Sequence, residues 1–152
     1  KSVFPTAKFK DIGAPSNSKS IGVTQDLLQD FFSTDDVEYL GVNDEMKKIY
    51  STVGAVVLPS YYGEGVPRAL LEASSMMIPI ITTNHAGCIE TIEDRVTGFV
   101  CEPKNIDSLA RQIKKFIDLS DDQKIIMGKR GRDKMKSEFS EDFVISTYLA
   151  FI

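Results

Sequence analysis

Two glutamates are the residues of this chain whose type and spacing best suit chemistry. Glu64 and Glu72 are separated by seven residues within the stretch from Ala55 to Thr83, AVVLPSYYGEGVPRALLEASSMMIPIITT. Glu64 lies in a glycine-containing loop, and Glu72 lies in the second turn of a helix predicted to begin at Pro67. Carboxylates do not bind phosphate, but they accept hydrogen bonds from hydroxyl groups. The pair is therefore suited to binding sugar hydroxyls.

The loop and helix start between these glutamates are suited to an anion. Gly63 and Gly65 can adopt backbone angles that are closed to other residues, and they allow a ligand to approach the main chain. Pro67 suits the first helical position, where its missing N–H would have no partner. The free N–H groups of the first helical turn, together with the helix dipole, favour a phosphate. The sequence therefore predicts a phosphate site flanked by two sugar-binding carboxylates.

The elements that position this loop follow from the apolar pattern. β-Branched runs predict strands over 55–58 and 78–83, with a helix over 68–77 between them and with Met76 and Met77 in the core. Further strands are predicted over 7–12, 37–40 and 98–101. Further helices are predicted over 23–32, from 43 or 44 to 50, over 106–119, from Ser120 to Phe139 with interruptions at Gly128 and Gly131, and from Ser140 onward. This alternation predicts an α/β fold with a doubly wound parallel sheet.

Composition restricts the classes of partner. The 152 residues include 42% hydrophobic and 26% charged residues, which is typical of one soluble globular domain. The net charge of −4 gives no reason to expect nucleic acid as a partner. No apolar run approaches the roughly 20 residues that span a bilayer. Cys88 and Cys101 are expected to be reduced thiols, and no motif has metal-ligand spacing. Because the chain begins with Lys1, we expect it to be a piece of a longer protein.

With these residues the chain resembles the C-terminal, nucleotide-sugar-binding domain of retaining glycosyltransferases of the GT-B fold, in the large family 4 (group 1). The signature is the glutamate pair Glu64 and Glu72, and the resemblance covers nearly the whole chain. It implies a Rossmann-like donor-binding domain over residues 1–152. The flanking features that carry it are Leu58-Pro59-Ser60, the strand at Pro79, Gly87 to Glu90, Thr97-Gly98-Phe99, and the tail with Met127, Gly128 and Arg130 before Phe139-Ser140.

The resemblance implies a role for each matching position. Glu72 would bind the ribose hydroxyls of the nucleotide. Glu64 would contact the transferred sugar near the reaction centre and is the expected catalytic residue. The main chain around the helix start, at Gly63, Gly65, Val66 and Pro67, would hold the distal phosphate or the sugar. The base would lie near the end of the second strand, at Gly41 and Val42. The side chains of His85 and Arg68 are further candidates for contact with the ligand.

The family also implies substrates and partners. The donor would be a nucleoside-diphosphate sugar, with UDP favoured by its frequency in the family, and no cofactor or metal is expected. The acceptor would be a glycan or a lipid-linked saccharide in surface polysaccharide synthesis, bound through an N-terminal domain. That domain and the family's basic phosphate-binding segment are absent, so we expect this piece alone to be inactive. The implied location is the cytoplasm, with the inner face of the membrane as an option for the intact protein.

Each of these residues also has a plainer interpretation. Glu72 could simply pair with Arg68 four residues earlier on a solvated helix face. Glu64 could be an ordinary loop residue, His85 could have a local loop role, and Tyr61 and Tyr62 are more typical of loop packing than of a sugar platform. Two rival functions stay open. One is a GT-B epimerase or phosphorylase, and the other is a flavodoxin-like interaction module without catalysis.

Overall fold

The computed structural model describes residue 4 and residues 7–15, 36–63 and 65–150. The helix predicted over 23–32 and the loop residue Glu64 lie outside these described residues. The chain divides into two compact units, Lys1–Met46 and Lys47–Ile152. Within the described ranges, no helix combines the length and the apolar character needed to cross a membrane.

The first unit contains a two-stranded parallel sheet. Strand β1 (Phe9–Asp11) pairs with β2 (Val37–Tyr39), and Phe9 lies opposite Val37. The Tyr39 hydroxyl donates a hydrogen bond of 2.7 Å to the carbonyl of Gly13. Both predicted strands are confirmed, although each is shorter than its sequence pattern suggested.

The second unit is built on three parallel strands, β3 (Val56–Leu58), β4 (Ile80–Thr83) and β5 (Gly98–Cys101), with β4 at the centre of the sheet. All four residues of β4 are buried, and β3 and β5 flank it on either side. The described helices connect or follow these strands, which confirms the α/β class with parallel sheets. The elements are α1 (Met46–Tyr50, beginning at the unit boundary), β3 (Val56–Leu58), α2 (Arg68–Ser75), β4 (Ile80–Thr83), a 3₁₀ turn (Ile89–Thr91), β5 (Gly98–Cys101), α3 (Ile106–Ile117), α4 (Asp121–Glu138) and α5 (Glu141–Leu149).

The core of the second unit lies between the sheet and helices α3 and α4. Ile81 from β4 and Phe99 from β5 pack with Phe116 of α3 and Met127 of α4. The amphipathic pattern of α3 therefore predicted its buried face correctly, with one exception. Ile106 is the first residue of the helix and is exposed, although Ser108 in the same turn is buried.

The turn that ends α2 differs from the prediction. Met76 and Met77 were expected in the core, but both are exposed. The Met77 amide donates to the Ser74 carbonyl and the Ile78 amide donates to the Ala73 carbonyl, at 3.0 Å each. This is a Schellman arrangement, and it places Met77 at φ +61°. The two side chains leave the core because the chain must turn here to enter β4.

Helix α4 also differs from the prediction, because it runs without interruption through Gly128 and Gly131. A Cβ atom at Gly128 would lie 1.9 Å from the main-chain oxygen of Met77, so the glycine allows the helix to approach the α2–β4 turn. A Cβ atom at Gly131 would make only ordinary contacts, the nearest at 3.8 Å. The predicted helix starts at Ser120 and Ser140 are confirmed: both serines are N-caps, and Ser120 forms a capping box with Gln123.

Candidate functional site

The candidate site lies at the carboxyl edge of the β3–β4–β5 sheet. Because the three strands are parallel, their carboxyl ends, at Leu58, Thr83 and Cys101, lie at the same edge. The loops that follow these strands meet there. This is the edge at which open parallel α/β sheets bind ligands.

The N-terminus of α2 has the properties of an anion site. Pro67 was predicted at the first helical position, but with φ −66° and ψ 120° it is the extended residue before the helix, which begins at Arg68. No side chain of the described residues caps this end. The first main-chain hydrogen bonds are donated by Leu70 and Leu71 to the Pro67 carbonyl, at 3.0 and 3.3 Å. The preceding amide groups therefore point out of the helix end, and the helix dipole adds positive potential there.

Glu72 lies one turn into α2 and pairs with Arg68. The Arg68 Nε donates to Glu72 Oε1 at 2.7 Å, and the side chains are 90% and 37% exposed, respectively. The predicted ion pair between Glu72 and Arg68 on a solvated helix face is therefore present. An exposed i,i+4 pair contributes little to stability. It uses one carboxylate oxygen, and no described residue donates a hydrogen bond to Oε2, so that oxygen can accept hydrogen bonds from a ligand.

Tyr50 is a buried residue whose phenol is influenced by the charge of the Glu72 carboxylate. Its ring is almost fully buried, and its hydroxyl donates a weak hydrogen bond of 3.4 Å to the Ala69 carbonyl in the first turn of α2. Burial raises the pKa of the Tyr50 phenol, and the negative charge of Glu72 raises this pKa further. The phenol therefore stays neutral near the carboxylate.

The loop before α2 contains both glycines, as predicted, and Tyr61, Tyr62, Gly63 and Gly65 are exposed. Gly63 does not adopt a positive φ, so the backbone freedom that glycine allows is not used at this position in this conformation. A Cβ atom at either glycine would meet nothing within 4 Å. What these glycines provide is space beside the main chain, next to the half-buried Val66.

Of the remaining predicted site residues, Gly41, Val42 and His85 are described by the structure. Gly41 and Val42 follow β2 in the first unit, where Gly41 has φ +63° and Val42 is exposed. His85 follows β4, is partly buried, and places Nδ1 3.2 Å from the carbonyl of Ala86. That contact fits the local loop role, and Gly87 completes the turn at φ +80°. Glu64 lies outside the described residues.

Three further residues of this edge were missed by the sequence analysis. The buried Thr82 and Thr83 donate hydrogen bonds to the carbonyls of Leu58 and Ser60, respectively, which fastens the exit of β3 to β4. Adjacent threonines at the end of an apolar run predicted to be a buried strand were a usable signal, because buried hydroxyls require partners. Lys104, in the loop after β5, places its ammonium 4.8 Å from the ring centroid of Tyr61. Nothing in the local sequence indicated that contact.

Metal ligation finds no support in the described part of the chain, where no three His, Cys, Asp or Glu side chains group together. Both cysteines are buried free thiols, and burial raises the pKa of Cys101. The Cys101 thiol is therefore protonated near neutral pH, which disfavours reaction as a thiolate.

Comparison with known proteins relates this chain to a family of enzymes. The family model for glycosyl transferases group 1 matches residues 22–134. The capsular polysaccharide biosynthesis glycosyltransferase CapM of Staphylococcus aureus is 30% identical over 62% of this chain and 24% of its own length. The chain thus spans about a quarter of that relative.

Solved structures agree on the fold. Anabaena Alr3699/HepE in complex with UDP has a TM-score of 0.81 and 18% identity, over 97% of this chain and 42% of its own. The C-terminal domain of the group 1 family protein LpcC from Francisella tularensis has a TM-score of 0.70 and 18% identity, over 88% of this chain and 87% of its own. Because the family model covers well over half of its residues, the chain belongs to the group 1 glycosyltransferases, with the fold of their C-terminal domain.

Proposed function

We propose that this chain binds a nucleoside-diphosphate sugar at the carboxyl edge of β3–β4–β5. The observation that carries the proposal is the pairing of an uncapped helix N-terminus with a half-exposed carboxylate one turn further on. Phosphate suits the positive helix end, and ribose hydroxyls suit the carboxylate of Glu72. HepE, which has the same fold, was solved with UDP, and this supports UDP as the nucleotide.

For the other residues we propose the roles that the family resemblance implies. The main chain at Gly63, Gly65 and Val66, with the amides that follow Pro67, holds the distal phosphate or the sugar. Gly41 and Val42 contact the base, and Glu64 contacts the transferred sugar as the catalytic carboxylate. His85 and Arg68 are ligand-contact candidates at the rim of the site.

In the whole protein, this domain supplies the donor for transfer of a hexose or N-acetylhexosamine, with retention at the anomeric carbon. The acceptor is a glycan or a lipid-linked saccharide, held through a second domain. The name of CapM supports a place in polysaccharide synthesis. We place the protein in the cytoplasm, with the inner face of the membrane as the site of a lipid-linked acceptor. Family membership favours transfer over a flavodoxin-like interaction module.

The binding test compares nucleotides on this chain by ligand-observed NMR. We expect UDP to bind at least roughly fivefold more tightly than GDP or ADP, and about tenfold more tightly than uridine, because uridine lacks the phosphates that face the helix end. Equal signals from the three diphosphates would contradict the assignment to UDP. Equal signals from UDP and uridine would contradict the phosphate site at α2.

The catalytic assignment is tested by Glu64→Gln in the whole protein. We expect kcat to fall about 100-fold while the donor KM changes less than about threefold, because the charge acts on the transition state more than on the bound donor. The matched control is Glu141→Gln, an exposed glutamate in the first turn of α5. An unchanged kcat in the Glu64 variant, measured by sugar transfer to acceptor, would exclude this role.

A further inference from the structure

A second polar cluster at the same edge is formed by Tyr61, Tyr62 and Lys104. The two tyrosine rings have centroids 4.4 Å apart and an interplanar angle of 34°, and the Tyr61 hydroxyl donates to the Tyr62 hydroxyl at 3.1 Å. They are 40% and 49% exposed. The Lys104 ammonium lies 4.8 Å from the Tyr61 ring centroid. We call these three residues the tyrosine–lysine cluster.

The cluster joins two loops that are not neighbours in the sheet. Tyr61 follows β3, and Lys104 follows β5, with β4 between the two strands. Parallel strands lie about 4.8 Å apart, so the two strands are separated by about 10 Å, and the contact crosses above the end of β4. Lys104 adopts φ +57°, which is rare for a residue with a side chain and is found where the surrounding structure imposes it.

The chemistry presented by the cluster is that of a site for an anionic saccharide. Exposed aromatic rings provide an apolar face for the C–H face of a pyranose ring. Because Tyr61 donates to Tyr62, the Tyr62 proton can be donated to a ligand. Among the described residues, no carboxylate pairs with the Lys104 ammonium, so its charge can bind a phosphate or carboxylate.

We propose that the tyrosine–lysine cluster is a saccharide subsite that takes a pyranose ring bearing a phosphate or a carboxylate. Its assignment to the acceptor, rather than to the donor, rests on the proposed function. The donor phosphates are assigned to the start of α2, which follows β3, whereas Lys104 follows β5 at the other side of the sheet. We therefore assign the anion at Lys104 to the acceptor, and titration with the donor site filled by UDP tests this assignment, because Tyr61 belongs to the loop that leads to α2.

The test titrates this chain with glucose 1-phosphate in the presence of saturating UDP, which fills the donor site. Glucuronic acid, methyl α-glucoside and inorganic phosphate are titrated in parallel, and binding is followed by NMR. We expect glucose 1-phosphate or glucuronic acid to bind at least about fivefold more tightly than methyl α-glucoside or inorganic phosphate. The tighter of the two anionic sugars identifies the anion.

Variants tie this binding to the cluster. Lys104→Gln and Tyr62→Ala should each weaken binding of the anionic sugar about fivefold or more. The controls Lys129→Gln and Tyr148→Ala, at exposed positions of α4 and α5, should stay within about twofold of the parent chain. UDP affinity should stay within about twofold in all four variants, which shows that each is folded and that the donor site is separate.

Several outcomes would overturn the proposal. These are the absence of sugar binding by the parent chain, equal binding of inorganic phosphate and the anionic sugars, and unchanged affinity in Lys104→Gln or in Tyr62→Ala. The donor assignment fails by a different result, namely the absence of UDP binding to the parent chain. Sugar titrations without UDP then still report on the cluster, because the variants that remove it do not alter the start of α2.

Discussion

Gly128→Ala should lower the free energy of unfolding of this chain by about 3 kcal/mol or more. A methyl group at this position would lie 1.9 Å from the main-chain oxygen of Met77 and 2.8 Å from its carbonyl carbon. The obstacle is backbone rather than a flexible side chain. Helix α4 must therefore move away from the α2–β4 turn, which loosens its packing on the core. Urea unfolding followed by circular dichroism measures the change.

The matched control for this prediction lies one turn further along the same helix. Gly131→Ala would place its methyl 3.8 Å from Ser74 and 3.9 Å from Thr97, which are ordinary contacts. Alanine is favoured over glycine inside a helix by about 1 kcal/mol, so this variant should be neutral or more stable than the parent. If both variants lost the same stability, the close approach at Gly128 would not be the cause.

Glu72→Gln should weaken binding of UDP to this chain about tenfold or more. Glutamine keeps the size of the side chain but replaces charge-assisted hydrogen bonds to the ribose hydroxyls with weaker neutral ones. A loss of about 1.4 kcal/mol corresponds to tenfold in affinity. Since Glu72 is partly exposed and its pair with Arg68 is a surface pair, the fold should be unaffected. Titration by ligand-observed NMR gives the dissociation constants.

Two controls separate the carboxylate from its ion-pair partner. Arg68→Gln removes the ion pair but keeps the Glu72 charge, so UDP affinity should change by less than about threefold. With 2′-deoxy-UDP, the ratio between the parent chain and Glu72→Gln should shrink, because one of the hydroxyls that the carboxylate binds is missing. An affinity for UDP within twofold of the parent, or a ratio that is the same for both nucleotides, would remove Glu72 from the ribose site.

The local features of this chain were accessible from its sequence because each depends on residues a few positions apart. The start of α2 was predicted to within one residue, since Pro67 is the N-cap rather than the first helical residue. The pairing of Arg68 with Glu72 on one helix face and the helix starts at Ser120 and Ser140 depend on hydrogen bonds within one or two turns. The parallel strands of the second unit were equally readable, since their apolar β-branched runs are interrupted by loops.

The same local reasoning failed where a distant element decided the outcome. Gly128 was expected to interrupt α4 because glycine disfavours helix. In the structure the helix continues through Gly128, and the missing side chain leaves space for the main-chain carbonyl of Met77. The strand that begins at Gly98 was predicted correctly, but its close contact was not: a Cβ atom at Gly98 would lie 2.0 Å from the main-chain oxygen of its register partner Ile80. Propensity describes what a residue prefers alone, and it carries no information about the backbone that packs against it.

The amino-acid sequence by itself determined the α/β pattern, the glutamate spacing and the family resemblance, which the family model confirms. Only the tertiary structure decided that the sheet order is β3–β4–β5, that Thr82 and Thr83 fasten the exit of β3, and that Lys104 reaches Tyr61. The physical reason is the distance along the chain between the residues that interact. Helix periods, caps and turns are set by neighbours along the chain, whereas contacts between loops far apart in sequence exist only after the strands beneath them have packed in one order.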